Sequence, residues 1–124
     1  MQFRWACAAL CAMMVLSGCG PAILAVHNFH LEQVASDAQQ DMIGMPSDRV
    51  LACMGDPMGR RNEGETEVWT YYTVDSSRVL NPRSCYVDVI FTDGRVTHLN
   101  YTVYHEGFVT PNAQCAEKVK GCVQ

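Results

Sequence analysis

The sequence predicts an α+β domain in which two N-terminal helices pack on a three-stranded antiparallel meander sheet, cross-linked by disulfides. Three observations support this fold class. Apolar residues recur every three to four positions up to about residue 54, and at every second position in segments beyond residue 67. The dipeptide Asp93-Gly94 is a strong hairpin signal between two such segments. With 124 residues and a net charge of -4, the chain has the size of one compact domain, and it lacks the basic excess of nucleic-acid-binding proteins.

The first 18 residues are typical of a secretory signal peptide. Arg4 precedes a stretch from Trp5 to Leu16 without polar side chains, which is shorter than the roughly 20 residues of a membrane-spanning helix. The stretch ends in Leu16-Ser17-Gly18-Cys19. This motif resembles the lipobox of bacterial lipoproteins, in which cleavage precedes a cysteine that carries diacylglycerol. The alternative is an ordinary secretory signal followed by a chance cysteine.

The lipobox resemblance implies that Cys19 is lipidated and anchors the mature protein in a membrane. Gly20 stands where an aspartate would suggest retention in the inner membrane, so we expect an outer-membrane protein that faces the periplasm. The domain organisation that follows is a signal peptide at residues 1–18, a lipid-anchored tether at 19–30, the folded domain at 31–104 and a C-terminal tail at 105–124.

Two helices are predicted at the start of the domain. The first extends from about Leu31 to Met42, because apolar residues there lie on one face and acidic or amide residues on the other. The second begins near Pro46 and Ser47, which suit a helix N-terminus, and ends at Gly55.

Three strands are predicted after a polar segment, residues 59–64, that is typical of a loop. They are Glu67–Thr73, Cys85–Phe91 and Arg95–Tyr104. In the third strand, Val96 has the opposite parity to the later apolar residues. Either a β-bulge lies near Thr97-His98, which we favour, or the two halves of the strand bury different faces.

Four cysteines remain in the mature chain: Cys53, Cys85, Cys115 and Cys122. An even number in an oxidising compartment favours two disulfides, and three pairings are possible. We expect a local disulfide between Cys115 and Cys122 in the tail, which leaves Cys53 to pair with Cys85. The alternatives are a zinc site or a redox pair, but neither the short ligand spacing of zinc sites nor C-x-x-C is present.

The glycine, proline and turn residues that delimit the predicted elements resemble those of the SmpA/OmlA (BamE-like) family of outer-membrane lipoproteins. The matching segments are Ile43-Gly44-Met45-Pro46-Ser47-Asp48-Arg49-Val50, Met54-Gly55-Asp56-Pro57, the strand containing Trp69, and Phe91 to Val96 with Asp93-Gly94. This resemblance covers roughly residues 41–104 and implies two helices followed by three strands. It also implies a non-catalytic role, since the family includes an accessory subunit of the machinery that assembles β-barrel proteins.

Nothing in the sequence indicates catalysis, a cofactor or a metal. The serines lack the G-x-S-x-G context of a nucleophile elbow. His27 and His30 could share a helix face as metal ligands, but no H-E-x-x-H pattern includes them, and solvated histidines are the favoured interpretation.

The candidate interaction surface consists of Trp69 and Tyr71 on the sheet together with Arg60 and Arg61 in the preceding segment. Aromatic residues are enriched in interface cores, so a sheet face without helices would suit a protein partner. The favoured interpretation of these aromatic residues is packing in the core or on the sheet, and that of the arginines is a solvated loop. The family resemblance implies a partner among β-barrel assembly components or other envelope proteins. A membrane-tethered inhibitor or ligand-binding module is the alternative function.

Overall fold

The computed structural model of the chain describes residues 19–75, 80, 82–104 and 110–124. The predicted signal peptide lies outside these residues, as does the start of the predicted tail at 105–109. The elements in chain order are α1 (Cys19–Asp41), α2 (Ser47–Met54), β1 (Gly59–Glu63), β2 (Thr66–Asp75), β3 (Arg83–Thr92), β4 (Arg95–Tyr104), α3 (Ala113–Val119) and a 3₁₀ turn (Lys120–Cys122).

The sheet has four antiparallel strands in the order β1-β2-β3-β4. The α+β class is therefore confirmed, but the expectation of three strands is wrong. The additional strand is β1. It is formed by the polar segment that the sequence predicts to be a loop, and all of its residues are exposed. Because β1 lies at the edge of the sheet and buries neither face, its sequence shows no alternation of apolar and polar residues. Gly64, with φ of +63°, makes the turn into β2.

The predicted β-bulge is present in β4. Phe91 pairs with Val96, whereas the preceding Ile90 pairs with His98, so Thr97 is the additional residue. The hydroxyl of Thr97 donates a 3.3 Å hydrogen bond to the carbonyl of Ile90. The bulge restores the parity of β4, so that Val96 and the later apolar residues all contribute to one core.

The helical layer differs from the predicted pair of N-terminal helices. α1 packs mainly against the C-terminal helix α3, and α3 also contacts β2 and β3. Ala113, Cys115, Ala116 and Val119 of α3 are buried. α2 buries Val50 and Met54 and contacts the 3₁₀ turn that follows α3. The C-terminal segment is thus part of the core, because it fills the space beside α1.

Both predicted disulfide pairings are wrong, although all four cysteines are paired. Cys53 is bonded to Cys122 with a Cα–Cα distance of 5.2 Å, and Cys85 to Cys115 with 5.3 Å. Cys115 is the third residue of α3, and Cys122 is the last residue of the 3₁₀ turn that continues this helix. A helix rises about 1.5 Å per residue, so seven residues separate their Cα atoms by about 10 Å, beyond the reach of a disulfide.

α1 is longer than the predicted helix and includes the segment expected to be a tether. It begins at Cys19 and continues through Asp41 without interruption. Among the side chains of α1 that the structure describes, Ala35 and Ala38 are fully buried, as is Met42 directly after the helix. Among the described residues, no helix combines the length and the apolar character needed to cross a membrane.

Candidate interaction surface

The structure places the two predicted aromatic residues in the core. Trp69 is 3% exposed and Tyr71 is 1% exposed, and both lie on the sheet face that the helices cover. They do not form part of an open face, so the interpretation that places them in the core is correct and their candidate role in an interaction surface is wrong. The physical reason is that alternation along β2 identifies two sets of side chains, while the packing of helices decides which set is buried.

Trp69 and Tyr71 have polar partners at the border of the core. The indole N–H of Trp69 donates to Glu67 at 2.7 Å, and the guanidinium of Arg60 lies 4.1 Å from the Trp69 ring centroid. The hydroxyl of Tyr71 donates to the carbonyl of Gly55 at 3.0 Å. Arg60 therefore covers the edge of the core through a cation–π contact.

Arg61 faces the opposite side of the sheet and belongs to a polar network. Its guanidinium forms ion pairs with Glu63 at 2.6 Å and Asp88 at 3.2 Å, and donates to the Thr70 hydroxyl at 3.0 Å. Thr70 in turn donates to Asp88 at 2.6 Å. The hydrogen bonds to Glu63 and then to Asp88 raise the pKa of Arg61 above its ordinary value. Arg60 and Arg61 consequently do not form a single basic cluster.

The open face of the sheet carries a different set of aromatic residues. Tyr72, Tyr86 and Tyr104 follow one another across β2, β3 and β4, with ring centroids 4.8 Å and 6.0 Å apart. Tyr72 is 40% exposed and Tyr104 is 53% exposed. We call these three residues the tyrosine row. Beside it, a shallow depression of about 250 Å³ is bordered by Arg61 and Asp88.

The alternation of residues along β2 and β3 indicates part of the tyrosine row. Tyr72 and Thr70 share a parity in β2, and Tyr86 and Asp88 share one in β3. This mixture of tyrosine with polar residues is the signal of a solvent-facing set, whereas Val87 and Val89 mark the buried set.

A larger cleft lies between α1 and the end of the sheet where β2 terminates and β3 begins. Its volume is about 650 Å³, and His27, Leu31, Thr73, Arg83 and Glu117 are among the residues that line it. The Nε of Arg83 is buried, and no described residue accepts a hydrogen bond from it. The cleft therefore combines apolar surface with groups of both charges.

The described residues hold no arrangement of three or more His, Cys, Asp or Glu side chains that could bind a metal ion. All four of the cysteines at positions 53, 85, 115 and 122 are in disulfides. His27 lines the cleft described above, and His30 is exposed on α1.

The chain was compared with models of known protein families, with curated proteins and with solved structures, and none of the three comparisons found a match.

Proposed function

We propose that this chain is a non-catalytic lipoprotein of the bacterial outer membrane, acylated at Cys19, that binds another protein of the cell envelope. The observation that carries the proposal is the motif Leu16-Ser17-Gly18-Cys19 at the end of a short apolar segment. The resemblance of residues 41–104 to SmpA/OmlA lipoproteins supports the same location. It also favours a partner among the components of β-barrel assembly.

The two disulfides are in keeping with a periplasmic location. Disulfides persist in oxidising compartments such as the periplasm and are rare in the reducing cytosol. Cys53 and Cys85, on the domain formed by α2 and the sheet, are each bonded to a cysteine of the C-terminal segment. In an oxidising compartment these two bonds would form and would hold the C-terminal segment to the rest of the domain.

The tyrosine row supports the proposal that the partner is a protein. Tyrosine presents a large, rigid contact area with a polar tip and is enriched in protein interfaces. Tyr72 and Tyr104 are exposed, and the adjoining Arg61–Asp88 pair supplies charged groups at the border. An apolar centre with a polar rim is the usual composition of such an interface.

The acylation proposal is tested by fractionating cells that produce the Cys19→Ala variant. We expect the wild-type protein in the outer-membrane fraction and the variant in the soluble periplasm. Metabolic labelling with a fatty acid should mark the wild type and not the variant. Retention of the unlabelled variant in the membrane would refute anchoring through Cys19.

The partner proposal is tested by photo-crosslinking in cells. A photoreactive residue replaces Tyr104 in the tyrosine row, and the matched control carries it at Met58, which is 64% exposed near the start of β1. Cross-links from position 104 to envelope proteins, identified by mass spectrometry and absent from position 58, would support docking on the open face. Equal cross-linking from both positions would refute it.

The alternative function, a membrane-tethered inhibitor or ligand-binding module, is favoured by one observation, the 650 Å³ cleft with the buried Nε of Arg83, from which no described residue accepts a hydrogen bond. A small carboxylate or phosphate compound would suit that group. Recovery of a soluble enzyme, or of a small ligand with the purified protein, would favour this alternative over docking to an assembly complex.

A further inference from the structure

The N-terminal half of α1 differs sharply in composition from the half that packs on the domain. The thirteen residues from Cys19 to Leu31 include no Asp, Glu, Lys or Arg, whereas the rest of the helix contains Glu32, Asp37 and Asp41. In a surface helix of a soluble domain, charged residues normally occupy the solvent-facing side along the whole length. We call Cys19–Leu31 the uncharged segment.

The uncharged segment also leaves apolar side chains without a place in the core. Among the side chains of α1 that the structure describes, the first apolar ones that pack against the core are Leu31 and Val34, both partly buried. Before them, Val26 is 69% exposed and Phe29 is 54% exposed. The fold thus provides no cover for these side chains.

Leu80 is a further exposed apolar residue at the same end of the domain. His27 and Leu31 of α1 line one cleft together with Thr73 at the end of β2 and Arg83 at the start of β3. The end of β2 and the start of β3 therefore lie beside the C-terminal end of the uncharged segment. Leu80, in the connection between these two strands, is 86% exposed, the most exposed large hydrophobic residue described.

We infer that the uncharged segment and Leu80 enter the membrane leaflet that holds the acyl chains of Cys19, so that α1 fixes the domain at the bilayer as a rigid helix. The inference rests on the acylation of Cys19 proposed above. The occupant of this surface is lipid because the exposed apolar residues are continuous along one helix with the anchored residue.

The dimensions of the segment agree with insertion into one leaflet. Thirteen helical residues extend for about 20 Å, while the hydrocarbon core of a bilayer is about 30 Å thick. The segment is therefore long enough to enter a leaflet and too short to cross both. Its polar residues, His27, Asn28 and His30, come at its C-terminal end, nearest to the folded domain.

The experiment uses tryptophan fluorescence in vesicles. Full-length chains are produced in a bacterial host that processes and acylates them. The purified proteins are incorporated into vesicles of phosphatidylethanolamine and phosphatidylglycerol, with or without brominated acyl chains.

Two variants, Phe29→Trp and Leu80→Trp, place the reporter at the proposed contacts. Met58→Trp is the matched control, because Met58 is an exposed apolar residue just before β1, at the sheet edge opposite β4, the strand that contacts α1. The wild type reports the buried Trp69 alone.

We expect brominated lipid to quench Phe29→Trp and Leu80→Trp strongly, with a blue shift of their emission, and to leave Met58→Trp and the wild type unchanged. Quenching of either test variant no stronger than that of Met58→Trp, in protein that still floats with the vesicles, would overturn this inference and leave acylation standing. Failure of the wild type to float would overturn both. A blue shift seen only in native membranes, and not in vesicles, would assign the surface to a protein partner and overturn the contact with lipid.

Discussion

Gly121 lies directly against the backbone of Cys53, so that a Cβ atom at position 121 would stand 2.8 Å from the carbonyl oxygen of Cys53. The neighbouring Cys122 is bonded to the same Cys53. The close approach brings the 3₁₀ turn onto α2 and allows the disulfide to form at this point. Glycine is required here because of space, as real Cβ atoms do not come so near to a backbone oxygen.

We expect Gly121→Ala to destabilise the domain by about 1–3 kcal/mol, since the backbone of Cys53 must move to accommodate the methyl group. The matched control is Gly59→Ala, because a Cβ at Gly59 meets no atom within 4 Å. The measurement is the free energy of unfolding in urea for both variants. Equal stability of the two variants would show that the contact between Gly121 and Cys53 is not close in solution.

The disulfides provide a second prediction. Peptide mapping under non-reducing conditions should recover Cys53 with Cys122 and Cys85 with Cys115. Replacing either pair with alanine should lower the free energy of unfolding by about 3–4 kcal/mol, because each bond closes a loop of several tens of residues in the unfolded chain. A peptide that links Cys115 to Cys122 would contradict the pairing.

Tyr101 connects β4 to α1 and provides a third prediction. Its hydroxyl donates a 2.6 Å hydrogen bond to the carbonyl of Ala35. Tyr101→Phe should cost about 1 kcal/mol, the usual net contribution of one buried hydrogen bond. Tyr104→Phe is the control and should leave stability unchanged, because that side chain is 53% exposed. Thermal unfolding followed by circular dichroism would detect the difference, and a Tyr101→Phe variant as stable as the control would contradict it.

The fourth prediction concerns stability at alkaline pH. Burial raises the pKa of Tyr71 from 10.0 to about 12, and Asp56 adds to the increase, while Arg60 opposes it. The folded state therefore holds the Tyr71 proton more tightly than the unfolded state does. This contribution to stability is complete below about pH 10 and is lost as the pH rises towards about 12.

Unfolding in urea at a series of pH values tests this effect of Tyr71. The free energy of unfolding of the wild type should fall between about pH 10 and pH 12. Tyr71→Phe should be less stable at neutral pH, because the bond to the Gly55 carbonyl is lost. It should show a smaller decline above pH 10, since one buried phenol no longer ionises. An identical pH dependence in both proteins would refute the assignment.

Local signals in the sequence determined much of the fold. Asp93 and Gly94 both have positive φ, as their hairpin turn requires. Gly55 ends α2 with φ of +78°, and the change of parity after Val96 correctly predicted the bulge in β4. Each of these features depends on the conformational preferences of one or two adjacent residues, which the sequence displays directly.

Three features depended on contacts between distant residues. β1 is a strand because β2 offers it a hydrogen-bonding edge, although its own residues are polar. The pairing of Cys85 with Cys115 depends on where α3 packs. Trp69 is buried and Tyr72 is exposed because the helices cover one face of the sheet. Alternation in the sequence separates two faces but cannot say which will be covered.

The sequence by itself thus determined the α+β class, the limits of α2, the hairpin and the bulge, and it supplied the motif at Cys19. Only the tertiary structure decided the cysteine pairing, the role of the C-terminal segment in the core and the location of the tyrosine row. The physical reason is the separation along the chain of the residues that interact. Turn and capping preferences act between neighbouring residues, whereas burial and disulfide formation depend on which distant surfaces the whole fold brings into contact.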